Sequence, residues 1–148
     1  MIIRLALIVC FTFIAIYNLN YYVNLKIRAS LELSHLIAFI IMLALIGVSF
    51  IYILERNLAN YGLAIVFVIY YLSSILARGV VNKGVVEKSF ILSIARLNKW
   101  ADVQEMKFEY NKDDKIDVVF VTKRRAIRQS YDDKYEANFI KIKKKLKI

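Results

Sequence analysis

Proline is absent, cysteine and histidine occur once each, and only four glycines are spread over 148 residues. A single cysteine excludes an internal disulfide, and one histidine leaves few ligands for a metal. The short motifs that carry catalysis are missing too. There is no G-x-S-x-G, no H-E-x-x-H, no Cys-x-x-Cys pair and no phosphate-cradling glycine loop. Charge is absent from three long stretches: Leu5–Val23, Leu36–Leu54 and Tyr61–Ala77.

What is present is strongly segregated. Apolar residues make up 59% of the chain, yet charged residues still reach 23%. Through Arg78 there are five basic residues and two acids, a net +3. The remaining 17 basic and 10 acidic residues give Gly79–Ile148 a net +7. The abundance of Ile, Lys, Asn and Tyr fits a bacterial gene rich in A and T.

The first half reads as a membrane domain, residues 1–78. About 20 residues of helix cross roughly 30 Å of hydrocarbon. The uncharged runs predict three spanning helices, at about 5–23, 36–54 and 58–78, with Asn60 and Arg78 reaching the interfaces. A soluble helical core would show an amphipathic stripe, and these runs have no polar face. No small-x-small site follows Phe13–Tyr17, which argues against a cleaved signal peptide. Cys10 follows too short an apolar run, with Ile8 and Val9 too bulky, for lipoprotein processing, and reads as a buried membrane residue. Tyr17–Asn24, YNLNYYVN, suits an interface where rings and amides meet headgroups; the lesser alternative is that its asparagines bond a neighbouring helix.

Short cytoplasmic loops are enriched in Lys and Arg. Lys26 and Arg28 lie in the first connection, whereas the second, Glu55–Asn60, has Arg56 beside Glu55. With three spans, the first connection and the basic carboxyl-terminal half share a side. The expected location is a bacterial cell membrane, with the amino terminus outside and residues 79–148 cytoplasmic.

Beyond Arg78 the period changes. Met106, Phe108 and Tyr110 alternate with Lys107, Glu109 and Asn111, as in a half-buried strand. Asn111–Lys115, NKDDK, is a turn signal, and Ile116–Lys123 is a β-branched strand with Ile116, Val118 and Phe120 on one face. A turn at Lys123–Arg125 leads to a third strand, Ala126–Tyr131, completing an antiparallel meander. Asp132 and Asp133 can begin a helix, in which Tyr135, Phe139, Ile142 and Leu146 form one apolar stripe. Val80–Val103 is ambiguous: strand, turn at Asn82–Gly84 and strand, or a helix using Phe90, Ile94, Leu97 and Ala101. The expected core comprises Trp100, Phe108, Tyr110, Val118, Phe120, Tyr135, Phe139, Ile142 and Leu146.

The order NKGVV, FILSI, NKWADVQEMKFEY, a strand pair and a closing amphipathic helix resembles the PH-like domain of bacterial membrane proteins. The shared features are Lys83-Gly84 at an early turn and Trp100-Ala101-Asp102-Val103 leading into a central strand. The resemblance covers about half the chain, Gly79–Ile148. It implies a small α+β domain, an antiparallel sheet plus a carboxyl-terminal amphipathic helix, that follows a membrane part of all-α class.

Such a chain is expected to be non-catalytic and to need no cofactor. His35 stands alone at the start of the second apolar run. Asp113-Asp114 belongs to a turn and Asp132-Asp133 to a helix start, while Ser73 and Ser74 are placed to bond backbone. The spans hold little charge for an ion path, which disfavours a transporter acting alone. Lys141, Lys143, Lys144, Lys145 and Lys147 are candidates for contact with anionic lipid, each such charge near the leaflet being worth about 1 kcal/mol; the alternative is a solvated, solubilising face. Sparse arginine and little aromatic interleaving disfavour nucleic acid. The expected function is a binding or assembly module for a membrane-protein partner, a second copy or the inner leaflet. Alternatives are self-immunity against a membrane-active bacteriocin, which the resemblance implies, and an accessory role in an export complex.

Overall fold

A computed structural model describes residues 2–52, 57–88, 94–111 and 114–147. Three apolar helices come first: α1, Ile2–Val23; α2, Leu33–Tyr52; and α3, Leu58–Leu76. α1 and α3 run side by side in the same direction. Phe11 meets Phe67 and Tyr70 partway along, and Asn18 meets Ser73 nearer the carboxyl ends. α2 runs the other way, its early Phe39 stacking on Tyr71 near the end of α3. α3 starts where Asn57 accepts from the Asn60 N–H at 3.0 Å, a side-chain cap for an otherwise orphaned donor. Large apolar side chains such as Phe13, Ile16, Ile40, Leu45 and Ile65 point outward and are exposed. A contiguous apolar exterior of this kind suits lipid rather than water.

Among the described residues two helices, Ile2–Val23 and Leu58–Leu76, are long and apolar enough to cross a membrane. The expectation of three transmembrane helices is therefore corrected. The fully described apolar stretch of α2, Leu33–Ser49, is shorter, about 25 Å at 1.5 Å per residue against roughly 30 Å of hydrocarbon. Its first turn, moreover, is spent on polar contacts: α2 begins at Leu33 rather than Leu36 and carries His35 beside Glu32. Residues 53–54 of the expected span lie outside the described residues. α1 starts a turn earlier than expected, taking Arg4 into the helix, and α3 ends at Leu76, leaving Arg78 to the strand region.

A separate sheet-containing region follows. Its first sheet orders β1 (Ile27–Arg28), β2 (Gly79–Val81), β3 (Gly84–Lys88) and β4 (Ala95–Lys99), all antiparallel. The second is a meander of β5 (Val103–Asn111), β6 (Lys115–Thr122) and β7 (Ala126–Asp132). A short 3-10 turn, Asp133–Tyr135, then leads into α4, Glu136–Leu146. Asp132 makes no side-chain cap; it accepts from Ser30 and pairs with Lys134 instead. In the ambiguous stretch, Leu97 lies in β4, so the strand reading holds there; Phe90 lies outside the described residues, as does Asp113.

One core lies between the sheets and α4. Val85, Met106, Ile116, Val118, Phe120, Tyr131 and Phe139 are fully buried, and the Tyr131 and Phe139 rings meet at 4.7 Å. Trp100, Phe108, Tyr135 and Ile142 are partly buried against this cluster. Tyr110 is not in it: the strand overhangs the core there, leaving the ring 71% exposed with its hydroxyl donating to Glu136. Leu146, in the last turn of α4, is only half-buried and outside the cluster. Buried Gln129 ties the sheets together, donating to Val86 O at 2.8 Å and accepting from the Tyr131 hydroxyl at 2.5 Å. Satisfying both ends of a buried amide makes this a specifying contact rather than a penalty.

Ile27 and Arg28 come from the connection after α1, yet pair with Val80 and Gly79. Gly79 has positive φ, and a Cβ there would collide with the Ile27 carbonyl oxygen. Only glycine permits that approach. Gly79→Val should therefore break the β1–β2 pairing and lower the apparent Tm of the detergent-solubilised chain, whereas Val81→Ile should shift it little.

Asp117 accepts from Ser130 Oγ at 2.5 Å and from Arg128 Nη2 at 2.8 Å. Burial pushes its pKa up, but the bonds from Ser130 and Arg128 and the Arg128 charge outweigh this and hold it below the ordinary carboxylate value. A depressed folded-state pKa stabilises above the unfolded value, about 3.9, and that stability is lost as pH falls through the folded one. Asp117→Asn should lower the Tm at pH 7, with the difference from wild type shrinking below about pH 4; a thermal melt series across pH measures it.

Candidate functional site: a charged cleft at the helix–sheet junction

The junction is set first by Asn18, fully buried on α1. Its Oδ1 accepts from the Ala95 N–H at 2.7 Å, and its Nδ2 donates to Ser73 Oγ at 3.3 Å. One side chain thus joins α1, α3 and the start of β4. Ser73 and Ser74 donate onward to the Tyr70 and Tyr71 carbonyls.

Beside this clamp, the first turn of α2, the end of α3, the end of β3 and the start of β7 enclose a cleft of about 470 Å³. Arg78 directly follows the helix cap and is 7% exposed. Its Nη2 sits 2.8 Å from Glu32 Oε1, so a cation left at a helix end is compensated by the residue preceding α2. Burying such a charge without a partner would be strongly unfavourable. Glu87, on another wall, pairs with Arg125, and Arg128 pairs with Asp117 and Glu109.

Lys88 differs from these. Its Nζ lies 4.5 Å from the centre of the Tyr71 ring, a cation–π contact. Among the described residues no carboxylate pairs with it. Burial lowers its pKa, and the Arg78 charge lowers it further. His35 contributes a buried Nε2, 3.9 Å from Glu32 Oε2 and outside hydrogen-bond reach of it. The walls thus offer three cations, Arg78, Lys88 and Arg128, to two carboxylates, Glu32 and Glu87, plus an imidazole nitrogen with unused hydrogen-bonding capacity.

A second cavity of about 470 Å³ runs between α2 and α3. It is almost wholly apolar, with Ile41, Met42 and Leu45 on one side and Leu63, Ala64 and Phe67 on the other. Ala38 lines both cavities, so the charged cleft and the apolar groove adjoin.

The lysines singled out in the sequence are elsewhere. Lys141, Lys144 and Lys145 are exposed on α4 and Lys147 just after it, and none lines the cleft. Lys143 is drawn down to the sheet, donating to Met106 O at 2.8 Å over the Phe108 ring. Cys10 is exposed on α1 rather than buried. Among the described residues, no three His, Cys, Asp or Glu side chains gather as a metal site would require. Sequence reasoning reached Arg78 as an interfacial residue, His35 as a lone one and, as an alternative, a bond from the asparagines of Tyr17–Asn24 to a neighbouring helix, which Asn18 makes to Ser73; it missed Glu32, Lys88 and the bond from Ala95 to Asn18. Their partners are far away in the chain, and no local spacing announces them.

No known protein family, curated protein or solved structure matches the chain.

Asn18→Leu keeps the side-chain bulk but removes the acceptor for the buried Ala95 N–H, at a cost of about 1–3 kcal/mol. Hydrogen exchange at Ala95–Lys99 should accelerate in this variant while exchange in β6 changes far less.

Proposed function

We propose that the protein is a non-catalytic membrane-anchored binding module, its sheet region a PH-like domain held at the cytoplasmic face. The observation that carries this reading is the β1–β2 pairing, which joins the chain leaving α1 to the chain leaving α3. The domain is thereby fixed at one end of both membrane-length helices rather than hung from a linker.

The PH-like reading is supported by the four-plus-three strand arrangement closed by a terminal helix. Its two motif pieces also meet in space: the Trp100 N–H donates to Lys83 O at 3.2 Å and the indole Nε1 to Asn82 O at 3.1 Å. Cytoplasmic placement is supported by charge. Lys26 and Arg28 join the same body as the +7 carboxyl-terminal half, which follows the excess of basic residues in cytoplasmic segments. On this reading α1 and α3 both run inward, residues 24–57 with the shorter α2 bring the chain back to the outer side between them, and the amino terminus lies outside. The partners are the anionic leaflet, reached by exposed α4 lysines, and a membrane protein or second copy packing on the apolar helix faces.

Two measurements test this. In a Cys10→Ser background, Lys145→Cys should resist an impermeant thiol reagent in intact cells and react in inverted vesicles; labelling from outside overturns the topology. Gentle solubilisation should yield a particle heavier than one chain, and a monodisperse single copy argues against assembly.

A further inference from the structure

We propose that the charged cleft and the adjoining α2–α3 groove form one binding site for a phospholipid with an anionic headgroup, the phosphate lying against Lys88 and an acyl chain along the groove. The inference deepens the membrane-anchored reading and rests on it.

The polar end is matched to an anion. Arg78, Arg125 and Arg128 already have carboxylate partners, whereas among the described residues Lys88 meets the face of Tyr71 and no carboxylate, and His35 keeps a buried nitrogen outside hydrogen-bond reach of its neighbouring carboxylate. An uncompensated ammonium in a partly desolvated cleft gains most from an added anion, because charge-assisted bonds strengthen as water is excluded. A phosphate oxygen would supply the missing charge and the missing hydrogen-bond partner together. The lowered pKa of Lys88 has the same origin: burial first, the Arg78 charge second.

The apolar end selects an amphiphile over a free ion. Ala38 is the shared wall, so that only its small side chain is common to the two adjoining spaces along the path the lipid would take. From Ala38 to Ser49 the groove follows α2 for about 16 Å, length for much of an acyl chain. Ile41 and Leu45 on its rim are exposed, so the groove opens outward where lipid would enter. A headgroup at one end and hydrocarbon at the other is the order a bilayer imposes, with the sheet on the polar side.

The test uses the full chain purified in a mild non-ionic detergent and presented with phosphatidylglycerol or phosphatidylcholine, bound copies being counted by native mass spectrometry. Wild type should retain one phosphatidylglycerol in preference to phosphatidylcholine. Lys88→Gln should weaken that retention about tenfold or more, the loss of one charge-assisted contact. Ala38→Trp, which would fill the boundary between the spaces, should weaken both lipids; Lys107→Gln, on β5, should change neither. Unchanged retention in both Lys88→Gln and Ala38→Trp overturns the proposal and moves the lipid to another surface. Displacement by millimolar inorganic phosphate, with no effect of Ala38→Trp, reduces the site to a phosphate site and overturns it as well. Release of the chain from membranes by alkaline carbonate would instead refute the membrane-anchored reading, a result the lipid counts cannot mimic.

Discussion

The pairing of Ile27–Arg28 with Gly79–Val80 is the constraint from which the rest of the arrangement follows. Two backbone segments, each just beyond a membrane-length helix, share hydrogen bonds, so α1 and α3 must end at the same level and point the same way. Lys26 N–H to Val80 O at 2.8 Å and Ala29 N–H to Arg78 O at 3.0 Å extend the contact beyond the two strand residues. Ser30 N–H then reaches Ser130 O at 2.7 Å, carrying the connection across to the second sheet. A few residues from the helical half thus stitch both sheets to the helices. Asn18 adds a side-chain clamp to the same seam.

That seam explains the electrostatics beside it. Bringing the end of α3 against a sheet leaves Arg78 where water is scarce, and Glu32 compensates it at the cost of ordering the turn before α2. Lys88 arrives from β3 with no such partner among the described residues. A buried ion pair contributes little net stability, but removing one partner leaves the other charge uncompensated. The Arg78–Glu32 pair therefore ties the segment before α2 to the end of α3 and shapes the cleft between them.

Much of the sheet region could be read from local pattern. The alternation Met106, Phe108 and the β-branched run through Val118 and Phe120 imposed a period of two, and the Tyr135–Phe139–Ile142 stripe imposed a helical one; both survive packing because each buries a continuous face. Tyr110 escaped this logic because alternation tells which face a residue occupies, not how far along that face the core extends. The helical half was legible in its apolar length at α1 and α3 but not at α2, whose described apolar stretch, Leu33–Ser49, stops before the charge-free run Leu36–Leu54 does. β1 had no signature at all: two residues cannot show a period, and their partner lies beyond two intervening helices. The cleft was invisible for the same reason, since Glu32, Arg78, Lys88 and Arg128 become neighbours only after those long-range pairings form.

The position of β1 also bears on biogenesis. The ribosome makes Ile27 and Arg28 before α2 and α3, and their partners emerge only after α3 is complete. The first sheet therefore cannot be finished until α2 and α3 have been made, so closure of the domain must wait for the helical half. A chain whose helices failed to pack would leave Val80 and Val85 without the strand edge and core neighbour they need. Completion of the domain therefore depends on a correctly built helical half, and a misassembled copy would display an open, degradable sheet.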